Sequence, residues 1–394
     1  MTVLVSAFGY FVDIYDLSLF GILRVQSLID LGYENKLFDY GVLLLNMQMF
    51  GMLVGGIIWG IIGDTIGRKT ILFGSILLFS IGNILNAFVV DIYQYAILRF
   101  ITGIGLAGEL GAAITLVSEI LDKEIRGYGT TIVASFGLLG AVFASITAEF
   151  FHWRVMYFIG GILGILLFFL RLKTMESSIF ERSRVLNIKR GDFIGIFTNV
   201  SKFRRYTIIL ITGLPIWFVF SILITFSPEV AKSLNLNINI SAGKSIMFAY
   251  LGISLGDAVS GILSQRLKSR KKPIYIFLLL LFIVVLLYLY FNKESYFVFY
   301  FYNFLLGFFA GYWVLFLTAG AEQFGTNIRA TVVSTLPNFI RGSVVLITLS
   351  FNYIKSYFDF ITSAVILGTI IILVAFISTL LMEETFAKDL DYVE

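Results

Sequence analysis

Twelve apolar runs of roughly 20 residues recur along this chain, and at that length an uninterrupted apolar run reads as a membrane-spanning helix. They lie near 3–24, 41–62, 70–90, 93–120, 128–150, 154–172, 206–230, 244–265, 273–291, 297–321, 330–352 and 358–382. The longest polar interruption, Lys173 to Arg205, follows the sixth run and divides them six and six. The expected domains are therefore an N-terminal six-helix bundle over 1–172, a cytoplasmic linker over 173–205 and a C-terminal six-helix bundle over 206–394. Composition agrees: charged residues are 14% of the chain and mean hydropathy is +0.93. Soluble domains carry roughly 25% charge. The expected fold class is all-α integral membrane, with twelve transmembrane helices.

Composition also excludes function classes. There is no cysteine and a single histidine, His152, so neither disulfides nor a metal centre is expected. The net charge of +4 sits in short loops, where it reports orientation rather than a nucleic-acid partner. With both termini inside, twenty of the 29 Lys and Arg residues, Arg171 among them, fall in cytoplasmic segments and seven in outer ones. That bias places both termini in the cytoplasm. The first run begins at Val3 without a basic lead and carries two aspartates, unlike a signal peptide. No phosphate-binding loop and no nucleophile–base constellation is present, so neither an ATP-driven pump nor an enzyme is expected.

The tightest polar break is Gly63-Asp64-Thr65-Ile66-Gly67-Arg68-Lys69, between the second and third runs. Its glycines permit close approach of backbones, and Arg68 and Lys69 suit the cytoplasmic side. The halves also echo each other. Glu119, six residues and Arg126-Gly127 recur as Glu322, six residues and Arg329-Ala330, and Gly108 and Gly311 each precede their glutamate by eleven positions. Gly60 through Lys69 has a degenerate echo in Gly261 through Lys271. Two such pairs, each at corresponding places, indicate parallel repeats with a substrate site between them.

Charges inside the runs carry the functional expectation, because ionisable groups at membrane depth are expensive. Asp13 and Asp16 lie in the first run, three residues apart and on neighbouring faces. Arg99 and Glu109 lie in the fourth, Asp257 in the eighth and Arg341 in the eleventh. A buried carboxylate that exchanges an arginine for a proton is a coupling site, which makes Asp13, Asp16, Glu109 and Arg99 the proton-coupling candidates. The alternative for the aspartates is a structural pair, one accepting from Arg99. Asp257 and Arg341 are open to a substrate group or to each other, and arginine suits carboxylate recognition. Trp217, Tyr302, Tyr312 and Trp313 are cavity-lining candidates, against a packing role, and Pro215 is a candidate helix break. The glycines from Gly103 to Gly111 read as a close-packing face. Gly63, Asp64, Gly67, Arg68, Lys69, Glu119, Arg126, Glu322 and Arg329 gather at cytoplasmic helix ends and are candidates for a gate of breakable ion pairs.

The Gly63–Lys69 loop resembles the G-D-x-x-G-R-K signature of major facilitator superfamily transporters. Asp13-Ile14-Tyr15-Asp16-Leu17 with Phe20-Gly21, Arg99 through Glu109, and Ala321 through Thr331 resemble motifs of its metabolite:proton symporters. Glu176 through Phe180 and Glu383-Glu384-Thr385 resemble the segments that end each half. Two departures stand out: Gly325 replaces a usual proline, and no proline precedes Arg126. The resemblance implies two pseudo-symmetric bundles, alternating access, and proton-driven uptake of a small carboxylate, amino acid or osmolyte across a bacterial inner membrane. It implies no cofactor beyond the proton gradient, and a functional monomer in the lipid bilayer. The competing expectations are an exporter or exchanger of a carboxylate siderophore or drug-like compound, and a non-transporting sensor on the same fold.

Overall fold

The computed structural model describes residues 2–66, 68–109, 111, 126–172, 193–291 and 294–387, and every regular element among them is a helix. In chain order these are α1 (Thr2–Asp30), α2 (Leu37–Thr65), α3 (Arg68–Asn86), α4 (Ile92–Leu106), α5 (Arg126–Thr147) and α6 (Trp153–Arg171). Then follow α7 (Phe193–Thr198), α8 (Val200–Phe218), α9 (Ser227–Ser233), α10 (Ala242–Leu267), α11 (Lys271–Tyr290) and α12 (Tyr296–Ala310). The last four are α13 (Trp313–Glu322), α14 (Thr326–Gly342), α15 (Val344–Lys355) and α16 (Phe360–Leu381). Among the described residues nine helical spans are long and apolar enough to cross a membrane, and three shorter apolar helices cover Thr70–Asn86, Ile92–Leu106 and Phe136–Thr147. Each of the twelve apolar runs is thus met by helix, and the chain is a multi-pass membrane protein.

Asx and hydroxyl caps begin several of these helices. Asp91 accepts from Tyr93 N at 2.8 Å and Gln94 N at 3.0 Å ahead of α4. Asn199 does the same for α8, and Asp359 accepts from Thr362 N at 3.1 Å ahead of α16. Such caps satisfy N–H groups that no helical carbonyl reaches.

Contacts divide the chain into two compact units. One is Met1–Phe193 with Gly325–Gly342; the other is Ile194–Phe324 with Ser343–Tyr392. In the first, α1 packs along α5 and α6, α3 lies on α4 and α6, and α2 lies between α4 and α14. In the second, α10 packs along α12, α8 along α16, and α11 touches both α12 and α16. The eleventh run is therefore two helices, turning at Ser343, and its first half, α14, belongs with the first unit.

Glycine sets the closest approaches. A Cβ on Gly103 of α4 would run into the Gln48 carbonyl of α2, and one on Gly256 of α10 into the Phe308 carbonyl of α12. The expected packing face on the fourth run is thus real: Gly103 serves α2, while Gly105 and Gly108 meet Phe79 and Ser75 of α3. Gly103→Val is expected to destabilise by about 1–3 kcal/mol, as overpacking does. Gly261→Ala, whose added methyl meets nothing within 4 Å, is expected to stabilise by about 0.5–1 kcal/mol. Melting temperatures in detergent should therefore rank Gly261→Ala above wild type and Gly103→Val below it.

Several spans are interrupted. α4 ends at Leu106 in a turn through Ala107 and Gly108, and α12 ends at Ala310 before α13 resumes at Trp313. The repeated Gly108 and Gly311 thus both mark a break. Pro215 does not end α8, which runs on to Phe218; a π-helical stretch, Val219–Ile224, follows before the chain turns at Thr225. π-Bulges of this kind are frequent at functional sites.

Candidate functional site

The interior of the first unit is charged. Asp13 and Asp16 on α1 are fully buried, as are Arg99 on α4 and Glu109 just beyond it, and Arg171 and Arg341 are nearly so. α1 is apolar along its length, so lipid-side burial brings its two carboxylates inward together with their flanking aromatics. Neither carboxylate has a hydrogen-bond partner among the described residues, and neither do the three guanidinium nitrogens of Arg99. Arg99 is the cation that acts on Asp16, and Arg341 the principal one that acts on Asp13.

Three neighbours shape the Asp16 corner. Gly160 of α6 leaves room for its Oδ1, which a Cβ there would approach to 2.5 Å. Asn83 of α3 lies beside it, outside hydrogen-bond geometry, with both amide atoms unpartnered. Across the corner the Arg99 guanidinium rests on two rings, 5.5 Å from the Phe20 centroid and 5.6 Å from that of Tyr157. Cation–π contact compensates part of the desolvation of an arginine that no carboxylate holds directly. A line of hydroxyls continues from there: Tyr157 to Tyr95 at 2.6 Å and Tyr95 to Ser27 at 3.3 Å. Buried polar groups in native structures are nearly always satisfied. A buried acid and a buried arginine left without hydrogen bonds are therefore functional candidates: the carboxylate can take a proton and the guanidinium an anionic ligand.

Glu109 is held very differently. Arg171, at the last turn of α6, grips both its oxygens at 2.8 and 3.0 Å, and Ser75 of α3 donates to Oε1 at 2.9 Å. Arg171 reaches this carboxylate over Gly9 of α1, where any side chain would meet its guanidinium. The expectation that Arg171 is a loop cation is corrected here. It is 2% exposed and paired, because α6 carries it inside to the buried carboxylate of Glu109. Nothing in the sequence flagged it beyond its place on the edge of an apolar run; Ser75, Asn83 and Tyr157 carried no signal either.

The second unit offers aromatic surface instead. Trp217 and Trp313 meet edge to face at 6.5 Å, Trp217 also meets Phe220, and Phe220 meets Tyr250 at 5.1 Å. Tyr312, at the helix break, donates to the Thr212 carbonyl at 3.0 Å. Tyr302 is half-buried beside Tyr288. Asp257 accepts from the Val314 N–H at 3.1 Å, so it caps the start of α13. Its other oxygen has no hydrogen-bond partner among the described residues, so a substrate group remains open to it.

The profile of the Major Facilitator Superfamily matches residues 6–348. This chain belongs to the Major Facilitator Superfamily. A D-xylose-proton symporter of known structure superposes with a TM-score of 0.72 at 16% identity, over 98% of each chain, which shows the shared fold. Among curated relatives, a putative metabolite transport protein of Haemophilus influenzae is 26% identical over 98% of this chain and 96% of its own. A putative niacin/nicotinamide transporter of Bacillus subtilis is 34% identical over 140 residues, 34% of this chain and 35% of that one. The benzoate transport protein of Acinetobacter baylyi is 32% identical over 34% of this chain and 30% of its own. The latter two alignments thus span about a third of those relatives' lengths.

Of the gate candidates in this superfamily member, Glu322 is described. Arg270 binds it bidentately at 2.7 and 3.0 Å, and Thr385 donates to it at 2.7 Å. Glu384 alongside accepts from Ser269 at 2.5 Å and from Arg270 N at 2.8 Å. Burial pushes the Glu384 carboxyl up, but these donors outweigh it and hold its pKa below the usual range. Bidentate arginine–carboxylate pairs are among the stronger charge-assisted contacts. Gly63 and Asp64 lie in the last turn of α2, Arg68 and Lys69 open α3, Arg126 opens α5 and Arg329 lies in the first turn of α14. The side chains of these residues, and Gly67 and Glu119 altogether, lie outside the described residues.

Proposed function

We propose that this chain is a secondary transporter that moves a small organic carboxylate across the bacterial inner membrane by proton symport. The two six-helix halves alternate access to a site between them, both termini are cytoplasmic, the monomer is the working unit, and the proton gradient is the sole energy source. The observation that carries this reading is the open pair of Asp16 and Arg99, fully buried and not hydrogen-bonded. A charge of either sign held in that way at membrane depth needs a function to keep it. Two of the relatives, a putative niacin/nicotinamide transporter and a benzoate transport protein, support small carboxylates among the possible metabolites. The aromatic group around Trp217 and Trp313 offers flat apolar surface suited to a ring. The retained buried charges disfavour a non-transporting sensor, which has no use for them.

Purified protein in liposomes, given labelled nicotinate outside at lower pH than inside, is expected to accumulate it above the level of protein-free liposomes. A protonophore should collapse that accumulation to equilibrium. Accumulation that survives the protonophore would contradict proton coupling.

A further inference from the structure

The second unit holds a single charge at membrane depth. Within it, residues 206–226, 245–265, 273–291, 296–321, 344–354 and 360–382 contain no Lys, Arg or His, and Asp257 is their sole acid. It lies ten residues from the nearer end of α10, about 15 Å at helical rise. Its side of the helix is the interior one. Ile246, Tyr250, Ile253 and Ser264 fall on the same face at helical spacing and are buried. Leu255, Val259 and Ile262 on the opposite face are 55%, 43% and 55% exposed, as a lipid-facing side should be.

The break after α12 meets this acid directly. A Cβ on Gly311 would stand 2.6 Å from the Asp257 backbone nitrogen, and the Val314 N–H that opens α13 donates to Oδ1 at 3.1 Å. Oδ2 is closed to solvent and has no hydrogen-bond partner among the described residues, and Asp257 makes no ion pair with any of them. What surrounds it instead is aromatic. Trp313, the residue before Val314, meets Trp217 at 6.5 Å, and Trp217 meets Phe220 at 6.3 Å. Phe220 in turn meets Tyr250, two turns before Asp257 on its own face, at 5.1 Å. These four side chains keep 6–9% exposure, while Phe218, Val219 and Ile222 keep none, so a part of each ring stays accessible.

A carboxylate at this depth is costly unless a cation or a proton compensates it, and no cationic side chain lies in the spans of its own unit. The start of α13 offsets part of the charge at Oδ1 and leaves Oδ2 open. An open acid oxygen joined to a group of aromatic rings is suited to a cationic nitrogen, through charge-assisted hydrogen bonding and cation–π contact, and repels a second carboxylate. We propose that Asp257 takes a positively charged nitrogen of the substrate, so that the substrate is a zwitterion: a small acid that also carries a protonated or quaternary nitrogen. The inference rests on the reading of the chain as a carboxylate transporter and names the second group its substrate must bear. In a pyridine carboxylate, the protonated ring nitrogen donates to Oδ2 and the flat ring is matched by the tryptophans.

Titration calorimetry of the purified full chain compares nicotinate with benzoate, two acids of the same shape that differ in the ring nitrogen. Nicotinate is expected to bind about tenfold or more tighter, the scale of a hydrogen bond to a charged group. Asp257→Asn keeps an oxygen to accept from Val314 N–H, so it should melt with wild type, but it removes the charge. In that variant nicotinate should weaken to the level of benzoate, and benzoate should bind as before. Equal binding of the two acids by wild type, tighter binding of benzoate, or a nicotinate preference that survives in Asp257→Asn would each overturn the inference while leaving a carboxylate transporter standing. The wild-type comparison decides by itself if the variant melts early. Failure of both acids to bind would overturn the carboxylate reading as well.

Discussion

Arg171→Met is expected to destabilise the protein by about 3–5 kcal/mol, the loss typical when one partner of a buried ion pair is removed and the other remains charged. The double variant Glu109→Gln/Arg171→Met should recover most of that loss, because the carboxylate that would be stranded is gone and Ser75 can still donate to the amide oxygen. The size of the effect follows from geometry. Glu109 is fully buried and its two oxygens receive three donor contacts, two of them from Arg171. A solvent-exposed pair would contribute at most about 1 kcal/mol. Unfolding midpoints in detergent decide: the single variant should melt well below the double. A single variant that melts with wild type would return Arg171 to the loop role its position at a run's edge first suggests.

Asp13→Asn/Asp16→Asn is expected to abolish uphill accumulation while leaving exchange of labelled for unlabelled substrate measurable. Asparagine keeps the volume of each site and removes the capacity to trade an arginine for a proton. Without that trade, substrate gradients still equilibrate but the proton gradient no longer drives them. Counterflow and protonophore-sensitive uptake, measured on the same liposomes, separate the two. Unchanged uphill uptake in the double variant would place the coupling elsewhere. Loss of both activities in a protein that still melts like wild type would make the aspartates part of substrate binding.

Much of the fold was legible in the chain. A twenty-residue apolar run is a local property, and its consequence in a bilayer is set by backbone hydrogen bonding alone. Among the described residues each of the twelve runs therefore carries helix, while Gly108 and Gly311, legible only as a repeat, turn out to lie at two breaks. Pro215 was a weaker signal, since the helix passes through it and changes winding only afterward. The buried charges were also legible, because an aspartate or arginine within such a run is conspicuous against its neighbours.

The partners of those charges were not legible. Arg171 and Glu109 are 62 positions apart, and their meeting depends on how far α4 and α6 are rotated about their axes, with Gly9 clearing the path. Asp257 looked like an intramembrane charge awaiting a substrate, yet the start of α13 takes one of its oxygens. Arg341 sits in the second half of the chain, and α14 groups it with the first unit, where it acts on Asp13. Hydropathy along the chain is enough to specify which segments leave water, because that transfer depends on each segment alone. Which charge compensates which is settled only by packing, since electrostatic energy depends on separation and on the surrounding dielectric, and neither exists until the helices have met.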